Sequence, residues 1–325
     1  MTVTIQDIEA AAERIAGHAV LTPLLRSAPL AELTGATTAY LKPETLQVCG
    51  AFKFRGAMNR LAQLSADQLP AGVVAFSSGN HAQGIALAAA RVGCPALIVM
   101  PSDAPRIKIE GTRAAGADVR LYNRYTESRE AISAAIAADR GAVVVPAFDD
   151  EDVIAGQGTT GLEIARQAAE QGGPLDILLC PVGGGGLIGG VSLAIKARSP
   201  TTQVWGVEPE GFDDTRRSLG AGRIVGNAPG ATTLCDALMA PAPGDITFAI
   251  NRTTLSGMLT VTDAEVKAAM RFAFLRLKLV VEPGGVVGLA AAMSGRIDLN
   301  GKRIGIILSG GNVDPDQFAD ILAEG

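Results

Sequence analysis

The chemistry legible in this chain begins with a lysine. Lys53 lies in Gly50-Ala51-Phe52-Lys53-Phe54-Arg55-Gly56-Ala57, where small residues on both sides let a bulky reactant reach its amine. An amine becomes nucleophilic near neutral pH when apolar surroundings disfavour its charged form, and Phe52 and Phe54 offer part of such surroundings. Lys53 is therefore a candidate Schiff-base nucleophile. Taken alone, the octapeptide favours the plainer reading of a surface lysine opening the helical pattern over residues 58–64.

Three loops add chemistry, each directly after an apolar run. Ser77-Ser78-Gly79-Asn80-His81 follows Val73-Val74-Ala75-Phe76 and precedes a helical pattern, so its backbone N–H groups and the Asn80 amide are placed to receive an anion such as a carboxylate. An ordinary N-cap turn explains this pentapeptide equally well. Gly183-Gly184-Gly185-Gly186, between an apolar strand and a helix starting at Leu187, lets consecutive amides face one oxyanion. A phosphate ester suits that cradle better than a nucleotide, because neither a Walker loop nor a dinucleotide fingerprint is present. Ser309-Gly310-Gly311-Asn312 leaves a hydroxyl at the end of the last strand, and alone it reads as an exit loop.

The elements that must carry these loops alternate. Residues 5–15 form an amphipathic helix, with Thr4 and Asp7 at capping-box spacing. Strands are expected at 73–76, 96–100, 119–122 and 142–145, with helices at 81–92, 107–115 and 127–138 between them. A second series has helices at 159–169, 187–197 and 264–277 and strands at 177–182, 204–207 and 304–308. Short, almost wholly apolar strands alternating with helices imply right-handed β-α-β units and parallel sheets covered on both faces. The expected fold is α/β, an open parallel-sheet sandwich in two lobes: a large domain from 1–65 and 148–325, and a small mobile domain from 66–147. Residues 220–245 read as an extended connection.

Composition excludes several classes. A net charge of -5 with no dense basic run argues against a nucleic-acid partner, and no apolar run reaches the roughly 20 residues needed to cross a bilayer. Cys49, Cys94, Cys180 and Cys235 are widely spaced, which indicates neither a disulfide framework nor a zinc cage, and the first residues lack the basic and apolar regions of a signal peptide. A cytoplasmic protein acting on a small molecule is expected. With His18 and His81 as the only histidines and no G-x-S-x-G elbow, hydrolase chemistry falls behind.

An accessible lysine, an anion-binding turn, a tetraglycine cradle and a terminal serine together describe a site for one phosphorylated aldehyde, and pyridoxal phosphate meets each demand. In the order of these motifs the chain resembles the pyridoxal-phosphate enzymes of the type II fold, in the group of threonine dehydratases and serine racemases, from about residue 5 onward. The resemblance implies that Lys53 carries the cofactor as a Schiff base and moves the α-proton. Asn80 bonds the cofactor's 3′-oxygen, the amides from Gly183, Gly184, Gly185 and Gly186 to Leu187 hold its phosphate, Ser309 faces the ring nitrogen, and Phe52 and Glu282 complete the surroundings. The loop of Ser77, Ser78, Gly79, Asn80 and His81 takes the substrate carboxylate. A neutral partner at the ring nitrogen makes a weaker electron sink than a carboxylate would, which favours early loss of a β-hydroxyl over transamination. The implied reaction converts a β-hydroxy amino acid, L-threonine or L-serine first, to a 2-oxo acid and ammonia. The resemblance also implies a homodimer and a Mg²⁺ or Ca²⁺ ion on Glu208, Asp214 and the carbonyl of Phe212.

Departures bear on substrate. Ala51 and Cys49 stand where relatives often carry hydroxyls, Pro146-Ala147 replaces His-Pro, and Glu282-Pro283-Gly284-Gly285 lacks a serine. Fewer polar partners suit a less polar side chain, as in threonine or phenylserine. Arg129, in contrast, is placed to serve a second carboxylate, as in 3-hydroxyaspartate, although a helix-surface arginine explains it as well. Ser78 matches the residue that would act opposite Lys53 in a racemase, so serine racemase activity stays open, as does a non-catalytic amino-acid-binding protein. The short chain after Ser309 leads to no expectation of a regulatory domain.

Overall fold

The computed structural model describes residues 3–104 and 106–324. Two sheets organise them, as the alternation of the sequence requires. The larger has six strands in the order Leu25–Arg26, Thr38–Pro43, Arg303–Leu308, Ile177–Pro181, Gln203–Pro209 and Gly257–Val261, parallel except for the first pairing. The smaller has four parallel strands in the order Asp118–Tyr122, Ala96–Pro101, Val73–Phe76 and Val143–Val144. Strand carboxyl ends of both sheets lead into the loops singled out above.

Local signals placed most elements within a few residues. Thr4 caps the helix Ile5–Arg14 in the expected capping box with Asp7. Thr262 does the same for Asp263–Phe272, which runs on into a π turn, Ala273–Leu277, instead of continuing as one α-helix to residue 277. Other elements were invisible. Thr38–Pro43 mixes a lysine and a proline into a strand that is buried throughout, and Lys42 tolerates this because its ammonium donates to Thr22 O at 2.6 Å, Glu163 Oε2 at 2.6 Å and Gln167 Oε1 at 3.0 Å. Helix Pro283–Met293 has no polar face to give it a period, since it is buried on all sides beneath the large sheet. Residues 220–245 are irregular apart from the tail of the helix Asp214–Ala221, a 3₁₀ turn, Asp236–Leu238, and the first residue of the helix Asp245–Thr254.

One correction matters for the site. A helix expected at 159–169 spans Glu151–Glu170, capped by Asp150, whose Oδ1 accepts from Val153 N at 2.9 Å. Its glycines disguised it, and tertiary packing requires them. A Cβ on Gly156 would lie 2.7 Å from Arg55 O, and one on Gly190 would lie 2.3 Å from Ile154 O. The long helix thus touches the helix Lys53–Leu61 on one side and the helix Gly186–Arg198 on another, backbone against backbone. It is the spacer that holds Lys53 in register with the tetraglycine loop.

Arg55 completes this frame. Fully buried, it grips Glu44 through Nε at 2.7 Å and Nη2 at 2.8 Å, and Glu163 through Nη1 at 2.6 Å. Both acids are thereby paired, which is the condition for burying them.

Candidate active site

Between the two sheets lies a cleft of about 380 Å³, lined by residues that include Lys53, Ser78, Asn80, Gly184, Arg129 and Ser309. The sequence placed these residues in five separate segments, and the fold brings them to one cavity. Lys53 opens the helix Lys53–Leu61, and its Nζ donates to the carbonyl of Ala147 at 2.7 Å. Burial lowers its pKa to about 8, against a smaller opposing pull from Cys49 and Glu282, so a useful fraction of the amine is neutral near pH 7. Phe52 and Phe54 divide the roles expected of them. The Phe52 ring lies 5.1 Å from Nζ, while Phe54 is fully buried in the core below.

Opposite stands the glycine loop. Gly185 has φ of 93°, a left-handed conformation that a side chain resists, and the helix Gly186–Arg198 begins without a side-chain cap. Among the described residues no protein acceptor meets the amides of Gly183, Gly184, Gly185, Gly186 or Leu187. The loop is braced from behind by Thr247, whose hydroxyl donates to Gly184 O at 2.7 Å. Uncapped amides at a helix N-terminus fit a phosphate group, and the glycines themselves answer to packing, since a Cβ on Gly184 would lie 2.3 Å from the Phe148 ring and one on Gly186 2.9 Å from Phe148 O. That fit, with the amine of Lys53 in the same cleft, is what pyridoxal phosphate requires.

The Ser77-to-His81 loop supplies the third wall. Asn80 is held at both ends of its amide: Nδ2 donates to Glu282 Oε1 at 2.6 Å, and Oδ1 accepts from Asn312 Nδ2 at 2.8 Å. Glu282 is buried, which pushes its pKa up to about 8, helped by the negative charge of Asp236 and opposed by the Asn80 bond. Its carboxyl is therefore largely protonated at neutral pH. Ser78 and Ser309 line the cleft with hydroxyls that have no protein partner among the described residues, whereas the Ser77 hydroxyl accepts from Gly79 N at 3.2 Å. His81 donates to Val145 O at 3.0 Å through Nε2, while burial and the Lys53 charge lower its pKa to about 3 and keep the ring neutral.

Charge at the cleft mouth was only partly anticipated. Arg129 does reach it, with its guanidinium 5.1 Å from the Phe76 ring centre and its Nε on Glu130 at 2.8 Å. Sequence reasoning missed Lys108 and Asp236, which pair across the cleft at 2.7 Å, and Asn312, which fixes Asn80. Asn312 had a signal, because an amide following two glycines at a strand end is well placed to turn into a site. Lys108 had none.

The acidic turn lies elsewhere. Glu208 is buried and accepts from Thr215 N at 2.9 Å and Arg216 N at 3.0 Å, so it caps the helix Asp214–Ala221. Asp214 accepts from Asn227 Nδ2 at 2.7 Å through Oδ1, and its buried Oδ2 has no partner. Burial raises Glu208 to about 8 and Asp214 to about 6. Among the described residues no three His, Cys, Asp or Glu side chains are grouped as a metal site.

Comparison with known proteins accounts for the arrangement. The chain is 46% identical to an L-threo-3-hydroxyaspartate ammonia-lyase of Pseudomonas sp, over 97% of this chain and 97% of that protein. It is 42% identical to a serine racemase of Schizosaccharomyces pombe, over 99% and 98%. The crystal structure of a threonine deaminase from T.th. superposes with a TM-score of 0.89 at 44% identity, covering 96% of this chain and 99% of that one. The family model of the pyridoxal-phosphate dependent enzyme matches residues 15–310, every strand of both sheets and every wall of the cleft, and the chain belongs to that family.

Proposed function

We propose that this enzyme is an ammonia-lyase that dehydrates a β-hydroxy amino acid, with L-threo-3-hydroxyaspartate ahead of L-threonine and L-serine. The relative in Pseudomonas supports that order, as do the cations at the cleft mouth. The observation that carries the reading is the depressed pKa of Lys53 in a cleft whose far wall is a run of unpaired amides. When bound, pyridoxal phosphate supplies an aldehyde for amines and a ring that draws electrons from the α-carbon.

The residues divide the work. Amides from Gly183 to Leu187 hold the phosphate, Asn80 the 3′-oxygen and Ser309 the ring nitrogen, with Lys53 at the aldehyde. The Ser77-to-His81 loop binds the substrate's α-carboxylate and so fixes which bond faces Lys53. Lys53, neutral in part at pH 7, accepts the α-proton at Nζ and can return it to the departing β-hydroxyl, which leaves as water. The product is an enamine, and water converts it to the 2-oxo acid and ammonia. Glu282, protonated at neutral pH, leaves Asn80 free of a full negative charge at its side.

The test is direct. Purified holoenzyme is given 3-hydroxyaspartate, threonine, serine and phenylserine, and 2-oxo acid is measured; Lys53→Ala loses at least ~10³-fold. Product formed at wild-type rate by Lys53→Ala, or from no substrate by the wild type, refutes the reading. A second reading is racemisation, favoured by the unpartnered hydroxyl of Ser78 and by the racemase relative. D-serine accumulating without 2-oxo acid would establish it, and neither product would leave an amino-acid-binding protein.

Further parts of the reading are proposals of the same standing. A Mg²⁺ or Ca²⁺ suits Glu208, Asp214 and the Phe212 carbonyl, since a cation would answer the partnerless Oδ2 of Asp214. Residues 66–147 act as the moving lobe that closes on substrate. The enzyme works as a homodimer in the cytoplasm, where the four buried, free cysteines stay reduced.

A further inference from the structure

Lys108 is the cleft residue whose chemistry the reaction leaves unused. It sits on the helix Arg106–Ala114 beside the small sheet, and its Nζ meets Oδ2 of Asp236 at 2.7 Å. Asp236 opens the turn Asp236–Leu238, which packs against Gly183 of the glycine loop. Both residues line the cleft, and among the described residues theirs is the ion pair that joins the two lobes. The partners are unequal: the lysine side chain is 21% exposed and the aspartate 57%. Returning the aspartate to water costs little, whereas leaving the shielded ammonium without an anion costs much more. Such a pair can exchange its acid. An incoming carboxylate takes the place of Asp236, which is rehydrated, and Lys108 is never left alone.

We propose that Lys108 determines specificity by receiving the distal carboxylate of a dicarboxylic β-hydroxy amino acid, with Asp236 holding its place until that substrate arrives. The proposal rests on the lyase reading above. The α-carboxylate has its own receiver in the Ser77-to-His81 loop, and the side chain of serine or threonine offers Lys108 nothing that could displace Asp236. A second carboxylate does. Arg129 is the weaker receiver, because its side chain is 41% exposed against 21% for Lys108 and so loses less when it has no anion, and Glu130 already occupies its Nε. Asp236 and Lys108 also act with opposite sign on the Glu282 carboxyl, which places the pair within electrostatic reach of the Asn80 wall. Exchange of the acid therefore occurs beside the site of reaction, and it draws on the ion pair that links the lobes.

Holoenzyme of the wild type, Lys108→Met, Lys108→Arg and Asp236→Asn is assayed with L-threo-3-hydroxyaspartate and L-serine. Calorimetry measures binding of succinate and butyrate, unreactive acids with two carboxylates and one. In Lys108→Met the ratio of kcat/KM for hydroxyaspartate over serine falls ~30-fold or more, and the preference for succinate disappears. Lys108→Arg keeps most of that preference, and Asp236→Asn binds succinate more tightly than the wild type. Equal losses on both substrates, as a simple strut between lobes would give, overturn the proposal, and so does a succinate preference that survives Lys108→Met. If the wild type makes 2-oxo acid from neither substrate, the lyase reading falls while the succinate measurement still decides the role of Lys108.

Discussion

Gly190→Ala tests whether the long glycine-bearing helix sets the position of the phosphate cradle. A methyl at Gly190 would sit 2.3 Å from the carbonyl oxygen of Ile154 and 2.6 Å from the amide nitrogen of Gly158. Ordinary contact begins at 3.4 Å, and both obstacles are backbone, so no side chain can swing aside and the two helices must part by roughly 1 Å. Overpacking of that kind costs about 1–3 kcal/mol of stability. Its larger effect falls on geometry, because the helix Gly186–Arg198 carries the cradle at its N-terminus while Lys53 stays on the other side of the spacer. A 1 Å error in such positioning is enough to lose ~10²-fold in rate. The expected result is a lowered Tm, a cofactor Kd raised roughly tenfold by fluorescence titration, and kcat/KM reduced ~10²-fold. A variant whose cofactor affinity and kcat/KM stay within about threefold of the wild type, with the helices intact by circular dichroism, would refute the reasoning.

Other substitutions and conditions have equally definite outcomes. Arg55→Met strands the fully buried Glu44, while Glu163 keeps Lys42, and urea unfolding should show a loss of about 3–5 kcal/mol; a loss below about 1 kcal/mol would mean the cluster relaxes into water. Gly111→Ala meets open space in a helix of ordinary backbone conformation, so it should stabilise the fold by about 0.5–1 kcal/mol in the same assay, and destabilisation would contradict it. Glu208 and Asp214 have pKa values raised by burial to about 8 and about 6, so the folded state holds protons there that the unfolded chain has released. Their ionisation therefore weakens the fold progressively as pH rises from the ordinary carboxylate range through about 6 and then about 8, and on the proposed metal reading a divalent cation in place of those protons would reverse the loss. Magnesium should raise Tm more at about pH 8.5 than at about pH 5.5, and an equal gain at both would remove these acids as ligands.

Much of the site was readable before folding. The lysine between small residues, the Ser77-to-His81 turn, the four glycines and Ser309 each lie directly after a strand or at a helix start, and such positions are marked by composition within a few residues. The tetraglycine was the strongest signal, since four consecutive glycines at a helix start have few structural uses. Arg129 was legible as a candidate and ambiguous in role, because it opens the helix Arg129–Arg140 and its choice between solvent and cleft depends on Phe76, which ends a strand 53 residues earlier. Lys108 was silent. A lysine on a helix with charged neighbours looks the same whether it faces water or a partner 128 residues away.

That contrast runs through the molecule. By itself the sequence determined the α/β class, the order of the chemical motifs, the capped helix ends and the cofactor's type, because periodicity, caps and glycine loops act over a few residues. Only the tertiary structure decided which charges are buried and with whom: Lys42 in the middle of a covered strand, and Arg55 reaching Glu44 and Glu163 across 11 and 108 residues of chain. It also decided that the glycines of the helix Glu151–Glu170 are contact points between backbones, and that Lys108 and Asp236 meet as an ion pair in the wall of the cleft. A burial partner is chosen by proximity in space, and proximity between distant segments exists only once the sheets have formed and the helices have packed on them.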